Sequence, residues 1–213
     1  MGRMALIHRA TLQPTKLELL SSWLPGRPWY AGPAGEPRLV AAYRFDDPAD
    51  AVGIETMLVQ VGDGPVHQVP LTYRDAPLAD GDALLLGTSE HSVLGKRWVY
   101  DGTGDPVYAA ALASAVLGNT GQADQFIQVD DGLERREPSM AIASGAAGEV
   151  PAVSAVHRVV EDDPTSIVTD TVELTVVRRL EPGVRLTGVV LTGTWPGQGT
   201  PAPLAAASLR HDS

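Results

Sequence analysis

The sequence predicts an α+β fold: an antiparallel β-sheet curled around helices, followed by a C-terminal β segment. Three observations carry the prediction. Strand-like runs follow one another at short intervals with Gly, Asp and Pro between them, which suits antiparallel meanders better than βαβ units. Two helices are marked by start signals at their N-termini. The second is apolar on nearly every side, so it needs cover from several directions. With 213 residues, 44% of them apolar and 20% charged, the chain fits one domain, or one domain with an appendage, and has enough material for a core.

Each element has its own signal. Met4 to Ala10 is short and apolar, like a strand. Thr15 and Glu18 stand at capping-box spacing, and Leu17, Leu20 and Leu24 then form a helical stripe widened by Leu19 and Trp23, which Pro25-Gly26 stops. Strands are expected at Leu39–Phe45, Ile54–Val61, Val66–Arg74, Ala83–Thr88 and Lys96–Tyr100. Asp105 before Pro106 opens the second helix, Val107–Leu117, which ends at Gly118-Asn119. Gly145-Ala146-Ala147-Gly148 reads as a boundary, giving a domain of residues 1–148 and a β segment with a tail at 149–213. In the second part, Ala152–Val160, Ser166–Leu180 and Val184–Thr194 read as strands, and the tail from Trp195 is expected to end loosely.

Composition narrows the function. The formal net charge of −10 opposes nucleic-acid and anionic-membrane partners, which need a basic face. The sequence has no cysteine, so disulfides, thiolate catalysis and Cys-ligated metals are excluded. Neither a signal-peptide core nor an apolar run of membrane-spanning length occurs, and a soluble cytoplasmic protein is expected.

Catalytic motifs are missing. There is no Gly-x-Ser-x-Gly elbow, and the five histidines, His8, His67, His91, His157 and His211, include no close pair. Gly95-Lys96 is a poor phosphate loop, since Arg97 stands where a Ser or Thr would hold magnesium. The paired carboxylates all fall in expected turns, where aspartate bonds the backbone. No metal and no cofactor are therefore expected. The run from Thr72 to Asp101 is richer, because Tyr73, Arg74, His91, Arg97, Trp98 and Asp101 combine flat apolar platforms with directional donors and acceptors, as a sugar or small polar ligand needs. The stronger reading of Trp98 and Tyr100 is as core residues on one face of a strand. Trp29 and Tyr30, in a rigid Pro-rich run, either anchor the first helix or form a partner-binding hot spot.

The run Ser22-Trp23-Leu24-Pro25-Gly26-Arg27-Pro28-Trp29-Tyr30-Ala31-Gly32 resembles the opening of the N-terminal cap of actinobacterial maltokinases and related aminosugar kinases. Gln68 to Arg74, Trp98 to Asp101 and Asp105-Pro106 look like further cap segments in the right order. The resemblance covers about residues 5–118 and implies a cystatin-like cap. It continues more weakly beyond. Val160 to Val168 and Leu174 to Gly183 match the layout of the phosphate loop and following strand-turn of those kinases, with Thr165, Ser166 and Thr175 at degenerate nucleotide-site positions. Asp162, Asp163 and Pro164 bring negative charge and remove a donor there, and Thr175 stands in place of the phosphate-pairing lysine. With 30 residues after Gly183, the resemblance implies a free-standing cap-like protein without a catalytic lobe.

The function expected is that of a non-catalytic accessory or regulatory protein acting on a protein partner, such as an enzyme of maltose, trehalose or glycogen metabolism. A sugar or sugar-phosphate binding module and a subunit of a hetero-oligomeric sugar kinase are the alternatives, and a homo-oligomer is left open. The candidate binding residues are Trp29, Tyr30, Tyr73, Arg74, His91, Arg97, Trp98 and Asp101, with no catalytic residue.

Overall fold

The structure, a computed structural model, describes residues 4–7, 11–129 and 132–210. The elements are β1 (Met4–Ile7), β2 (Leu12–Gln13), α1 (Lys16–Trp23), β3 (Pro37–Phe45), β4 (Gly53–Val61), β5 (His67–Arg74), β6 (Leu85–His91), β7 (Gly95–Asp101) and α2 (Pro106–Leu117). They continue with β8 (Asp124–Val129), β9 (Gly132–Arg136), β10 (Ala141–Ser144), β11 (Val156–Val160), β12 (Thr165–Thr169), β13 (Val172–Val176), β14 (Val189–Trp195) and β15 (Gln198–Leu209). Residues 8–10 of the first expected strand lie outside the described residues, as do His8 and His211.

Both helices start where their caps dictate. Thr15 Oγ1 accepts from the Glu18 amide at 3.2 Å, and the Thr15 amide donates to the Glu18 carboxylate at 2.6 Å, so two orphan donors are satisfied reciprocally. Asp105 Oδ1 accepts from the Val107 amide at 2.9 Å, with Pro106 in the first turn. At the other end of α2, the Gly148 amide donates to Leu117 O at 3.0 Å and the Ser144 hydroxyl to Val116 O. The small-residue loop read as a boundary thus closes the helix C-terminus.

Two six-stranded antiparallel sheets dominate. The first runs β2-β6-β7-β5-β4-β3 and the second β10-β14-β15-β13-β12-β11, while β1-β8-β9 forms a third sheet containing a parallel β1–β8 pair. Strand alternation divides the first sheet. Met57, Val59, Val69, Leu71 and Val99 face α1 and bury Leu19, Leu20, Trp23, Leu24 and Trp29. On the opposite face, Tyr43, Phe45, Ile54 and Leu58 share one core with α2 and with Ile167, Leu174, Val176, Leu191, Leu204 and Ala205 of the second sheet. Tyr108, Ala109, Leu112, Ala113, Ala115 and Val116 of α2 are all buried in it, which is the multi-sided cover its composition demands.

Several expectations in the second half need correction. The tail is ordered over Gln198–Leu209, its last residues 211–213 lying outside the described residues: β15 lies centrally in its sheet, between β14 and β13, with Leu204 to Ala207 buried. Its small side chains let α2 approach, and that packing outweighs the weak strand propensity of Ala, Gly and Pro. Ser166–Leu180 is not one strand but the β12–β13 hairpin plus an irregular segment, because the Thr169 hydroxyl takes the Thr171 and Val172 amides and turns the chain. The strands expected from Ala152 and Val184 begin later, at Val156 and Val189. The strands β8, β9 and β10 had no sequence forecast.

Candidate functional site

The polar residues singled out from the sequence fall into four places. The first is a buried seam between the two large sheets. Asp101, at the end of β7, and Arg178, just past β13, are both fully buried, and Arg178 Nη2 donates to Asp101 Oδ2 at 2.6 Å. Arg178 Nε donates to Thr165 Oγ1 at 2.8 Å, and Nη2 also reaches Thr103 Oγ1 at 3.2 Å. The second Asp101 oxygen accepts from the Thr103 amide and hydroxyl. The guanidinium carbon lies 4.5 Å from the centroid of the Trp29 ring, a cation–π contact. Gln68 completes the seam: its side-chain amide donates to Val177 O and Leu204 O, both at 2.9 Å, and accepts from the Tyr43 hydroxyl at 3.2 Å. Arg178 and Gln68 were the residues missed. For Arg178 the one sequence signal is the run Arg178-Arg179 inside an apolar stretch, where a charge must find a partner; Gln68 carries no such signal.

Trp29 and Tyr30 border the seam from the α1 side. Trp29 packs on Trp23 with centroids 5.8 Å apart, and Tyr30 on His67 at 4.7 Å. Burial pushes the His67 imidazole down to about 4, with Arg179 adding to the effect and Asp163 opposing it. Arg27, before Trp29, reaches Glu161 of the β11–β12 turn at 3.4 Å.

The second and third places are ion-pair clusters on opposite faces of the first sheet. On the α1 face the Tyr73 hydroxyl donates to Glu55 Oε2 at 2.8 Å, beside the Lys16–Glu55 pair and Arg44 at 3.7 Å. Burial pushes the Glu55 carboxyl up, but Lys16, Arg44 and the Tyr73 hydroxyl together outweigh it and hold the group at about 2. On the α2 face Arg74 grips Asp105 with two bonds of 2.7 Å, so the α2 cap is also half of a bidentate ion pair.

The fourth place is the β6–β7 hairpin. His91 Nδ1 accepts from the Val93 and Leu94 amides at 3.2 and 3.0 Å. Trp98 lies opposite Arg74 and Thr88 in the strand register, with Lys96 Nζ 4.8 Å from its ring centroid. Arg97 is opposite Ser89. The eight candidates therefore do not line one cleft. Two surface depressions lie elsewhere: one of about 200 Å³ beside Gln122, Arg135 and Arg136, and an apolar one of about 420 Å³ between Ala146-Ala147 and Leu209. Among the described residues no group of His, Asp and Glu is placed to hold a metal ion, and no helix is long and apolar enough to cross a membrane.

Of the three positions that the resemblance places at a nucleotide site, Thr165 and Ser166 have their hydroxyls taken by internal partners. Thr165 is buried, donates to Asp162 O at 2.8 Å and accepts from Arg178. Ser166 donates to Glu173 at 3.3 Å, and Thr175 pairs in register with Ser166. Asp163 Oδ1 accepts from the Arg178 and Arg179 amides at 2.9 and 3.3 Å, and its other oxygen is 3.5 Å from Arg179 Nε.

The first sheet is a curled antiparallel sheet with α1 on one face and α2 on the other. Residues 23–105 match the maltokinase N-terminal cap domain family, from Trp23 to the N-cap of α2. The match takes in β3 to β7 and all eight candidate residues, and it is to a cap domain rather than a kinase catalytic domain. No curated protein matches the chain.

Proposed function

We propose that this relative of the maltokinase cap is a non-catalytic accessory or regulatory protein, built on a cystatin-like cap, that acts by binding a protein partner. An enzyme of maltose, trehalose or glycogen metabolism is the partner class that the kinase resemblance suggests. One observation carries the reading. Where the resemblance puts a phosphate loop, the Asp163 carboxylate takes two backbone N–H groups and faces the Arg179 side chain. A carboxylate built into the chain at that place, already holding the Arg178 and Arg179 N–H groups, opposes the binding of a second anion there.

The test is a native-abundance pull-down alongside a thermal-shift and phosphoryl-transfer panel with Mg-ATP, maltose, trehalose and glucosamine. A ligand at 100 times its dissociation constant adds about 2.7 kcal/mol and moves the midpoint by roughly 5 °C or more. The expected result is a specific protein partner and no shift with Mg-ATP. Phosphate transfer by the purified chain, or a Mg-ATP shift of that size, overturns the reading.

The adjacency of Arg74 and half-buried Trp98 favours a second reading, a sugar-binding module. In that case maltose or trehalose gives the shift, and Trp98→Ala removes it while leaving the midpoint of the free protein in place.

A further inference from the structure

Among the described residues, most large exposed apolar side chains stand singly, at Leu39, Leu133, Val160 and Leu209, as on any soluble domain. The β6–β7 tip is different. Val93 is 57% exposed and its neighbour Leu94 48%, in a turn where Gly, Asn, Asp or Ser is the usual choice.

That tip is held in shape. His91 Nδ1 accepts from both the Val93 and Leu94 amides. Gly95 closes the turn at φ +71°, a left-handed conformation that glycine adopts without strain. Ser92 is tied to Thr11 in both directions, its amide donating to Thr11 O at 3.0 Å and its Oγ accepting from the Thr11 amide at 3.1 Å. The Ser89 hydroxyl donates to Pro14 O at 2.7 Å. Two apolar side chains are thus presented on a braced turn, which lowers the ordering cost of docking.

The charge beside them is local and positive. Lys96 is exposed and Arg97 partly so, and neither has an ion pair among the described residues. From Glu90 to Arg97 two cations stand against one carboxylate, in a chain of net charge −10. An acidic partner is repelled by most of this chain and admitted by this patch, so the charge pattern selects the docking orientation.

We propose that the β6–β7 tip is the surface through which the chain docks on an acidic face of a partner protein. Val93 and Leu94 enter an apolar depression, and Lys96 and Arg97 pair with carboxylates at its rim, the apolar-centre and polar-rim arrangement of specific interfaces. The proposal rests on the partner-binding reading above and names the surface and the partner's chemistry.

The experiment places photoreactive p-benzoylphenylalanine at Val93 in the full chain, expressed at native abundance in its own host, and sequences the cross-linked peptide. The same cells carry V93S/L94S and K96E/R97E variants for pull-down, each checked for an unchanged thermal midpoint. An acidic cross-linked peptide is expected, together with a loss of recovery of at least about tenfold in both variants and weaker capture as salt is raised. A basic or neutral peptide, a peptide from a second copy of this chain, lipid adducts or undiminished recovery by either variant overturns the proposal. If the wild-type pull-down recovers no partner, the partner-binding reading fails and this one with it. If a partner is recovered equally by the tip variants, only the assignment to the tip fails.

Discussion

Arg178 and Asp101 meet across 77 positions of sequence with no exposure to solvent, and each is the other's main compensation for lost hydration. Removing one leaves an uncompensated buried charge, so Arg178→Met and Asp101→Asn should each cost about 3–5 kcal/mol in denaturant unfolding. The double variant should cost less than the sum, since it removes both charges together. Additive losses would show that the pair is not coupled as its geometry implies. Acid sensitivity belongs to this scale as well. His67 falls from an ordinary 6.5 to about 4 in the fold, so the unfolded chain binds the proton first and stability drops as pH falls from 6.5 towards 4. Glu55, lowered from 4.5 to about 2, removes further stability as pH falls from 4.5 towards 2. His67→Gln should flatten the upper window and leave the lower one, as followed by urea midpoints between pH 7 and pH 3. An unchanged slope above pH 4.5 would dissociate His67 from the acid response.

Two helix caps with the same local role should respond differently to mutation. Thr15 is exposed and makes a reciprocal box with Glu18 alone, so Thr15→Ala should cost about 1 kcal/mol. Asp105 is buried and also anchors Arg74 bidentately, so Asp105→Ala loses a cap and a charged partner together and should cost about 3 kcal/mol or more. Equal costs, read from chemical denaturation, would deny Arg74 its part. Both caps were legible in the sequence because a cap needs only residues within one turn of each other. The strand β15 was not. Pro201, Pro203, Gly197 and Gly199 look like a tail, and what makes a strand of it is pairing with β13 and β14 and contact with α2, none of it local. The candidate residues divide in the same way. Asp101 was singled out from its neighbours in β7, whereas Arg178 could not be joined to it without knowing that β5 and the segment after β13 meet. The bridge between His67 and Arg179 and the bond from the Leu180 amide to Val66 O at 2.9 Å record that meeting, and no pattern in either segment announces it.

At the scale of the whole molecule the question is whether residue 148 separates two folding units. The main core draws Tyr43, Phe45, Ile54 and Leu58 from one side of it and Ile167, Leu174, Leu191 and Leu204 from the other, with α2 between. A fragment of residues 1–148 keeps α2 but loses the side chains that cover Leu112, Ala113 and Val116, all fully buried in the whole chain. It also leaves Asp101 and Gln68 without Arg178, Val177 and Leu204. Exposed apolar surface beside an unpaired buried carboxylate is the condition for a loosely packed state. The fragment should therefore bind ANS and unfold without a sharp transition. The full chain should unfold once, with far-UV circular dichroism and tryptophan fluorescence coincident. The fluorescence is informative because Trp23, Trp29 and Trp98 report on the first sheet and Trp195 on the second. A cooperative transition in the 1–148 fragment, or two separated transitions in the full chain, would make the cap an independent unit and reduce the second sheet to an attachment. A single transition makes α2 the shared centre of one folding unit, and then any partner that engages the β6–β7 tip binds a scaffold whose rigidity depends on both sheets.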